Sequence, residues 1–141
     1  MAGYQENVQN AVQHHPTGNL GITIDSVNFE IFADPLFEKT FYNLIDNSLR
    51  YGGETMKNIR VSSKVNPDGL FIIYEDDGIG IPINEKSRIF ERGFGKTGGQ
   101  GLFLVQEILS ITGITIRETG TPEKGCRFEI LVPNGMYRPN H

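Results

Sequence analysis

The sequence predicts an α+β domain: a two-layer sandwich in which a mixed, largely antiparallel sheet packs on about three helices. Three observations carry this. Apolar residues recur at spacings of three and four from Leu36 to Leu49 and again from Leu102 to Leu109, the pattern of one buried helix face. Ile59, Val61 and Val65 alternate with Arg60, Ser62 and Lys64 as in a half-buried strand. The turn Asn66-Pro67-Asp68-Gly69 then joins that strand to the apolar run Leu70–Tyr74, which makes the pair a hairpin.

Each remaining element follows from local chemistry. Ile22 and Ile24, then Val27, Phe29 and Ile31, read as two short strands or one bent strand. Asp34 is placed to cap a helix with Pro35 at its first position. Gly52-Gly53 ends that helix, because glycine takes the left-handed C-terminal conformation without steric cost. Residues 82–100 form a long polar connection with a short helical piece around Asn84–Phe90. A connection of this length in a small domain carries function or moves. Gly113 closes the second helix, and Ile114–Glu118 and Arg127–Val132 are closing strands on either side of Gly120–Gly125. The boundaries are a lead-in or linker over 1–18, a domain over 19–135 and a tail over 136–141.

A chain of 141 residues, 38% hydrophobic and 21% charged, has an ordinary globular composition and fits one domain with its own core. The net charge of −4 offers no basic footprint for nucleic acid, so an anionic ligand must be held by local donors. No apolar run approaches the ~18 residues of a membrane span, and the polar Met1–His15 stretch does not read as a signal peptide. One cysteine, Cys126, excludes an internal disulfide and a zinc set. The expected location is the cytoplasm, or the cytoplasmic part of a larger protein.

Three groups of residues carry candidate chemistry. Asn43 and Asn47, four apart, project from one face of the first long helix, with Arg50 near that stripe. An amide carbonyl is a neutral oxygen ligand suited to Mg²⁺, which takes few protein ligands and completes its shell with phosphates and water. Asp76-Asp77-Gly78-Ile79-Gly80 follows an apolar strand. Its glycines let backbone approach a ligand, and a buried aspartate there can accept from an exocyclic amine such as that of adenine. Gly98-Gly99-Gln100-Gly101 opens the second helix, where unpaired N–H groups and the helix dipole attract phosphate. Each group alone has a plainer reading: a solvated helix face, a polar turn, a glycine-hinged loop. Their order and spacing make the joint signal.

On these residues the chain resembles the ATP-binding catalytic domain of sensor histidine kinases, within the gyrase, Hsp90, histidine kinase and MutL superfamily. Asn43-Leu44-Ile45-Asp46-Asn47-Ser48-Leu49-Arg50-Tyr51 resembles the asparagine box, Asp76–Pro82 the first glycine box, Ile89–Gly95 the phenylalanine box, and Gly99-Gln100-Gly101-Leu102 the second glycine box. The resemblance spans roughly residues 20–133 and implies a Bergerat-type α/β sandwich. It also implies roles. Asn47 would ligate Mg²⁺, with Asn43, Arg50 and Tyr51 near the phosphates or ribose. Asp76 would read the adenine amine, and Gly78, Gly80 and Ile81 would shape the base pocket. Gly99, Gly101 and Leu102 would line the phosphate side. Residues 83–99 would be the ATP lid, with Phe90 as an apolar anchor and Lys96 as the lid cation.

The resemblance further implies that ATP-Mg²⁺ is bound and its terminal phosphoryl transferred to a histidine on a separate dimerising helical hairpin, which then serves a response regulator. ATP-hydrolysing relatives carry a glutamate where this chain has Asn43. Thr97, Gln100 and Arg127 also depart from the usual residues. His14 and His15 precede Pro16 in the presumed lead-in and lack an acceptor motif, so the acceptor is expected elsewhere and the isolated domain is expected to be monomeric. Two other readings stay open: a nucleotide-binding module without transfer, and a serine/threonine kinase of the anti-sigma-factor type.

Overall fold

In chain order the elements are α1 (Tyr4–Gln13), β1 (Gly21–Ile24), β2 (Phe29–Ile31), α2 (Glu38–Tyr51), β3 (Asn58–Asn66), β4 (Gly69–Asp76), α3 (Gly101–Ser110), β5 (Thr115–Glu118), β6 (Arg127–Pro133) and β7 (Tyr137–Pro139). They come from a computed structural model that describes residues 3–13, 20–24, 29–91, 101–122 and 124–139. Five strands form one sheet in the order β1-β3-β4-β6-β5, and β2 and β7 form a separate ribbon. Within the large sheet only the β1–β3 pairing is parallel. The predicted mixed, largely antiparallel sandwich is the observed architecture.

Strand alternation decides which side chains enter the core. Along β4, Leu70, Ile72 and Tyr74 are fully buried. The register sets Tyr74 opposite Val61 on one side and Phe128 on the other, and Ile72 opposite Ile130. This row faces Phe41, Leu44 and Ile45 of α2 and Leu102, Val105 and Leu109 of α3, all in one cluster of buried side chains. The opposite face of the sheet carries charge, with Arg127 paired to Glu75 at 3.1 Å and Arg117 to Glu129 at 3.2 Å.

The entry to α2 follows its sequence signals. Asp34 accepts from the Leu36 N–H at 2.8 Å, and Pro35–Phe37 form a 3₁₀ turn that runs into the helix. At the far end, Gly53 adopts φ +86°, the left-handed conformation expected there. The helical piece expected around Asn84–Phe90 is a 3₁₀ turn at Ile83–Glu85 followed by further turns to Phe90.

Two expectations are corrected. The segment 1–18, read as a lead-in, contains α1, with Tyr4 and Val8 fully buried and Ala11 nearly so. Helix α1 packs against α2, and Asn10 donates to Glu38 at 2.6 Å. Ten residues form no stable helix alone in water, so α1 owes its structure to a docking partner that local sequence does not reveal. The tail over 136–141 contributes β7, which pairs antiparallel with β2. Arg138 meets Glu30 at 2.9 Å, and the Tyr137 ring stands edge-on to Phe29 at 5.8 Å. A strand pair separated by most of the chain leaves no local signature.

Truncating the α1 anchor tests the docking. Val8→Ala is expected to destabilise the domain by about 1–3 kcal/mol through lost apolar burial and the space left behind. Urea unfolding measures it, and an unchanged midpoint would mean that α1 contributes nothing to the fold.

Candidate functional site

The alternation that sends Leu70, Ile72 and Tyr74 inward also turns Asp76, the last residue of β4, toward the core, where it is 7% exposed. A carboxylate in that position requires donors. Its Oδ1 accepts from the backbone N–H groups of Gly78 at 3.1 Å and Cys126 at 3.0 Å. Its Oδ2 accepts from the Ser48 hydroxyl at 2.6 Å. Ser48 Oγ lies 2.7 Å from the Tyr74 hydroxyl, which is 3.1 Å from the Leu44 carbonyl oxygen. One side chain thus ties together α2, β4 and the start of β6.

Glycine makes this convergence possible at two points. Gly125 has φ +123°, and a Cβ there would stand 1.9 Å from the Asp76 carbonyl oxygen. A Cβ on Gly78 would stand 2.4 Å from the Gly52 carbonyl oxygen, so the loop after β4 lies directly on the end of α2. The Ile79 N–H donates to that same carbonyl at 2.9 Å. On the other side Asp77 accepts from the N–H groups of Lys57 at 2.7 Å and Asn58 at 2.9 Å, and from the Asn58 amide at 3.0 Å.

The expected site residues that the structure describes differ in burial. Asn43 and Asn47 are half-buried on α2, and Tyr51 is half-buried at its end. Gly80 takes φ +74°, and Ile81 packs partly against the core. Leu102 is buried at the start of α3. Gly101 opens that helix, and among the described residues nothing lies within 4 Å of where a Cβ on it would sit. Phe90 is half-buried, its ring edge-on to Phe128 at 6.4 Å. Arg50 is ion-paired to Asp46, one turn back, at 2.9 Å. Lys96 and Gly99, with residues 92–99 of the expected lid, lie outside the described residues.

Sequence reading missed Ser48 and Cys126 as partners of Asp76, and Tyr74 as the partner of Ser48. The available signal was periodicity. Ser48 lies four residues beyond the core residue Leu44, on the buried stripe of α2, and a buried hydroxyl needs a partner. It also missed Lys86, which reaches the carboxylate of Glu118 and the Gly120 carbonyl and so ties the chain after Ile83–Glu85 to the end of β5. The buried Glu118 carboxylate is completed by the N–H groups of Gly120 and Arg127, both at 3.0 Å.

These surroundings set protonation states. Burial, with the Asp76 charge adding to it and the bond to Ser48 opposing, pushes Tyr74 well above the usual tyrosine value, so its hydroxyl keeps its proton. Burial, with the Asp76 and Glu118 charges adding to it and Lys86 opposing, pushes the Cys126 thiol up to about 12. The thiol is therefore protonated and a poor nucleophile. Burial also pushes Asp77 upward, but the backbone N–H groups of Asn58 and Lys57 and the Asn58 amide together outweigh it, and its carboxyl sits below the usual value.

This geometry belongs to a recognisable class of ATPase domain. The model of the histidine kinase-, DNA gyrase B-, and HSP90-like ATPase family matches residues 32–136, and the chain belongs to that family. Over 101 residues it is 37% identical to the alginate biosynthesis sensor protein KinB of Pseudomonas aeruginosa, covering 68% of this chain and 17% of that protein. Over 137 residues it is 30% identical to the signal transduction histidine-protein kinase ArlS of Staphylococcus aureus, covering 90% of this chain and 30% of that protein. The chain thus spans a third or less of these curated relatives. Among solved structures, the mycobacterial sensor histidine kinase MprB superposes with a TM-score of 0.83 at 18% identity over 99% of both chains. The ATP binding domain of PrrB from Mycobacterium tuberculosis does so with a TM-score of 0.71 at 25% identity, over 91% of this chain and 88% of that one. The observed fold is that of histidine kinase ATPase domains. Among the described residues, no helix is long and apolar enough to cross a membrane.

The depressed Asp77 carboxyl makes a pH prediction. A group whose folded value lies below its unfolded value of about 3.9 stabilises the fold above that pH and loses the contribution as pH falls through the folded value. Asp77→Ala is therefore expected to lower the melting temperature at neutral pH, with the gap to wild type narrowing below about pH 4. Melting curves across that range measure it, and a gap independent of pH would remove the carboxylate from its role.

Proposed function

We propose that this domain binds ATP with Mg²⁺ and presents the terminal phosphoryl group to a histidine on a separate helical hairpin, as the catalytic part of a sensor kinase that serves a response regulator. The observation that carries this reading is the Asp76 carboxylate. It is buried, its two oxygens hold three donors, and an ionised carboxylate accepts about four hydrogen bonds. One acceptor position remains for a ligand donor, which suits the exocyclic amine of adenine. The glycine-backed loop beside it suits a flat base.

In this reading Asn43 and Asn47 line the polyphosphate side, and Asn47 offers its amide oxygen to Mg²⁺. Among the described residues no group of three His, Cys, Asp or Glu side chains could hold a metal. A hard cation here would therefore take most of its ligands from phosphate and water, the usual habit of Mg²⁺. The cation would supply charge neutralisation on the phosphates. The start of α3 at Gly101 and Leu102 would present its N–H groups to phosphate oxygens. Arg50 would have to exchange Asp46 for phosphate, and Lys96 is assigned the lid cation role by motif alone. Asn43 has no basic group with which to activate water, which favours transfer to a protein acceptor over hydrolysis.

Calorimetric titration tests the ligand roles. Asp76→Asn is expected to weaken ADP binding by roughly 10- to 100-fold, the range for a hydrogen bond to a charged group. Asn47→Ala is expected to weaken binding strongly with Mg²⁺ present and little in EDTA. Unchanged affinity in the first variant removes Asp76 from base reading, and equal losses with and without metal make Asn47 a packing residue.

Radiolabelled ATP tests the transfer. The chain alone is expected to hydrolyse ATP very slowly and to remain unlabelled, and adding a cognate helical hairpin is expected to produce acid-labile phosphohistidine on the hairpin. Acid-stable label on a hydroxyl acceptor would instead favour a serine/threonine kinase. Acid-labile label on this chain alone, lost on changing His14 and His15, would overturn the missing-acceptor argument.

A further inference from the structure

The hydrogen-bonded row Tyr74–Ser48–Asp76 admits one arrangement of protons when Asp76 is ionised. An ionised carboxylate accepts only. The single Ser48 proton is therefore committed to Asp76 Oδ2, across 2.6 Å. Ser48 Oγ must then accept from Tyr74 across 2.7 Å, in preference to the longer 3.1 Å approach of Tyr74 to the Leu44 carbonyl. Burial keeps the phenol protonated, so this donor is always available. At the other carboxylate oxygen, the two backbone N–H groups of Gly78 and Cys126 cannot reverse direction. Every proton in the row points toward Asp76, and what remains for a ligand is an acceptor.

We infer that Ser48 and Tyr74 are specificity-determining positioning residues, which fix the orientation of the base-reading carboxylate of Asp76 so that its free lone pair meets an exocyclic amine and not a carbonyl at the same place on a purine. The inference rests on the reading of Asp76 as the adenine contact and deepens it, since it names what enforces the choice of base. A site built to accept rejects a ligand that presents another acceptor, because both lone pairs are then left without a proton. Removing the Ser48 hydroxyl leaves Oδ2 without its donor and frees the carboxylate to turn, which relaxes the choice. Tyr74 acts only through Ser48, by supplying the proton that holds Ser48 Oγ in place.

The test compares binding of Mg-ADP and Mg-IDP to the whole chain, because IDP carries a carbonyl where ADP carries the amine. Ser48→Ala is expected to lower the ADP-over-IDP preference by about tenfold, the scale of one charged hydrogen bond. Tyr74→Phe should lower it by less. The double variant should match Ser48→Ala, since the two residues act in series, and Ser48→Thr should restore the wild-type ratio. Melting temperatures report folding separately. A packing role would lower affinity for both nucleotides alike and leave the ratio unchanged, and that result in Ser48→Ala and Tyr74→Phe overturns the inference while leaving Asp76 as the base reader. A wild-type protein that binds ADP and IDP equally overturns the adenine reading itself, and the inference with it.

Discussion

A carboxylate turned into the core at the end of an otherwise apolar strand face is costly unless donors surround it. Asp76 meets that demand with two backbone N–H groups and one hydroxyl, each from a different part of the chain. Much of the local architecture serves this one group. Gly125 lets β6 begin against the Asp76 carbonyl with no room for a Cβ, and Gly78 lets the following loop lie on the end of α2. Ser48 stands on the buried stripe of α2, beneath Asn43 and Asn47. The proposed base-reading group and the proposed phosphate face are therefore mechanically joined, because one helix carries a donor to the first and the side chains of the second.

The loop after β4 is held from both sides. Asp76 grips it inside through the Gly78 N–H, and Asp77 grips it outside through Lys57 and Asn58. Adjacent acidic residues point to opposite faces because strand geometry alternates. One carboxylate is consequently buried and the other exposed, and the same dipeptide does two jobs. Lys86 and Glu118 repeat the device further along, where a buried carboxylate fastens the first part of the expected lid to the edge of the sheet.

Much of the core site could be read without coordinates because its parts are local. The i, i+4 spacing of Asn43 and Asn47 defines a helix face, Asp76 ends an apolar strand, and the glycines mark sharp backbone turns. Periodicity also held the clue to Ser48 on the buried face. It held no clue to which atom Ser48 would meet, because Tyr74 and Asp76 reach it from another element. The ion pair between Arg50 and Asp46 is a one-turn contact open to any sequence reading.

By itself the sequence determined the two long helices, the β3–β4 hairpin, the closing strands and the order of the candidate site motifs. Each depends on periodicity or turn chemistry within a short window. Tertiary structure decided that Tyr4, Val8 and Ala11 make a docked helix rather than a lead-in, and that Tyr137–Pro139 return to pair with Phe29–Ile31. It also decided the proton direction along Tyr74, Ser48 and Asp76. A short helix has too little intrinsic stability to announce itself, and a distant strand pair is visible only when both partners are in place. A hydrogen-bond polarity depends on which donors and acceptors the fold brings within 3 Å of each other, and that is a property of the packed chain.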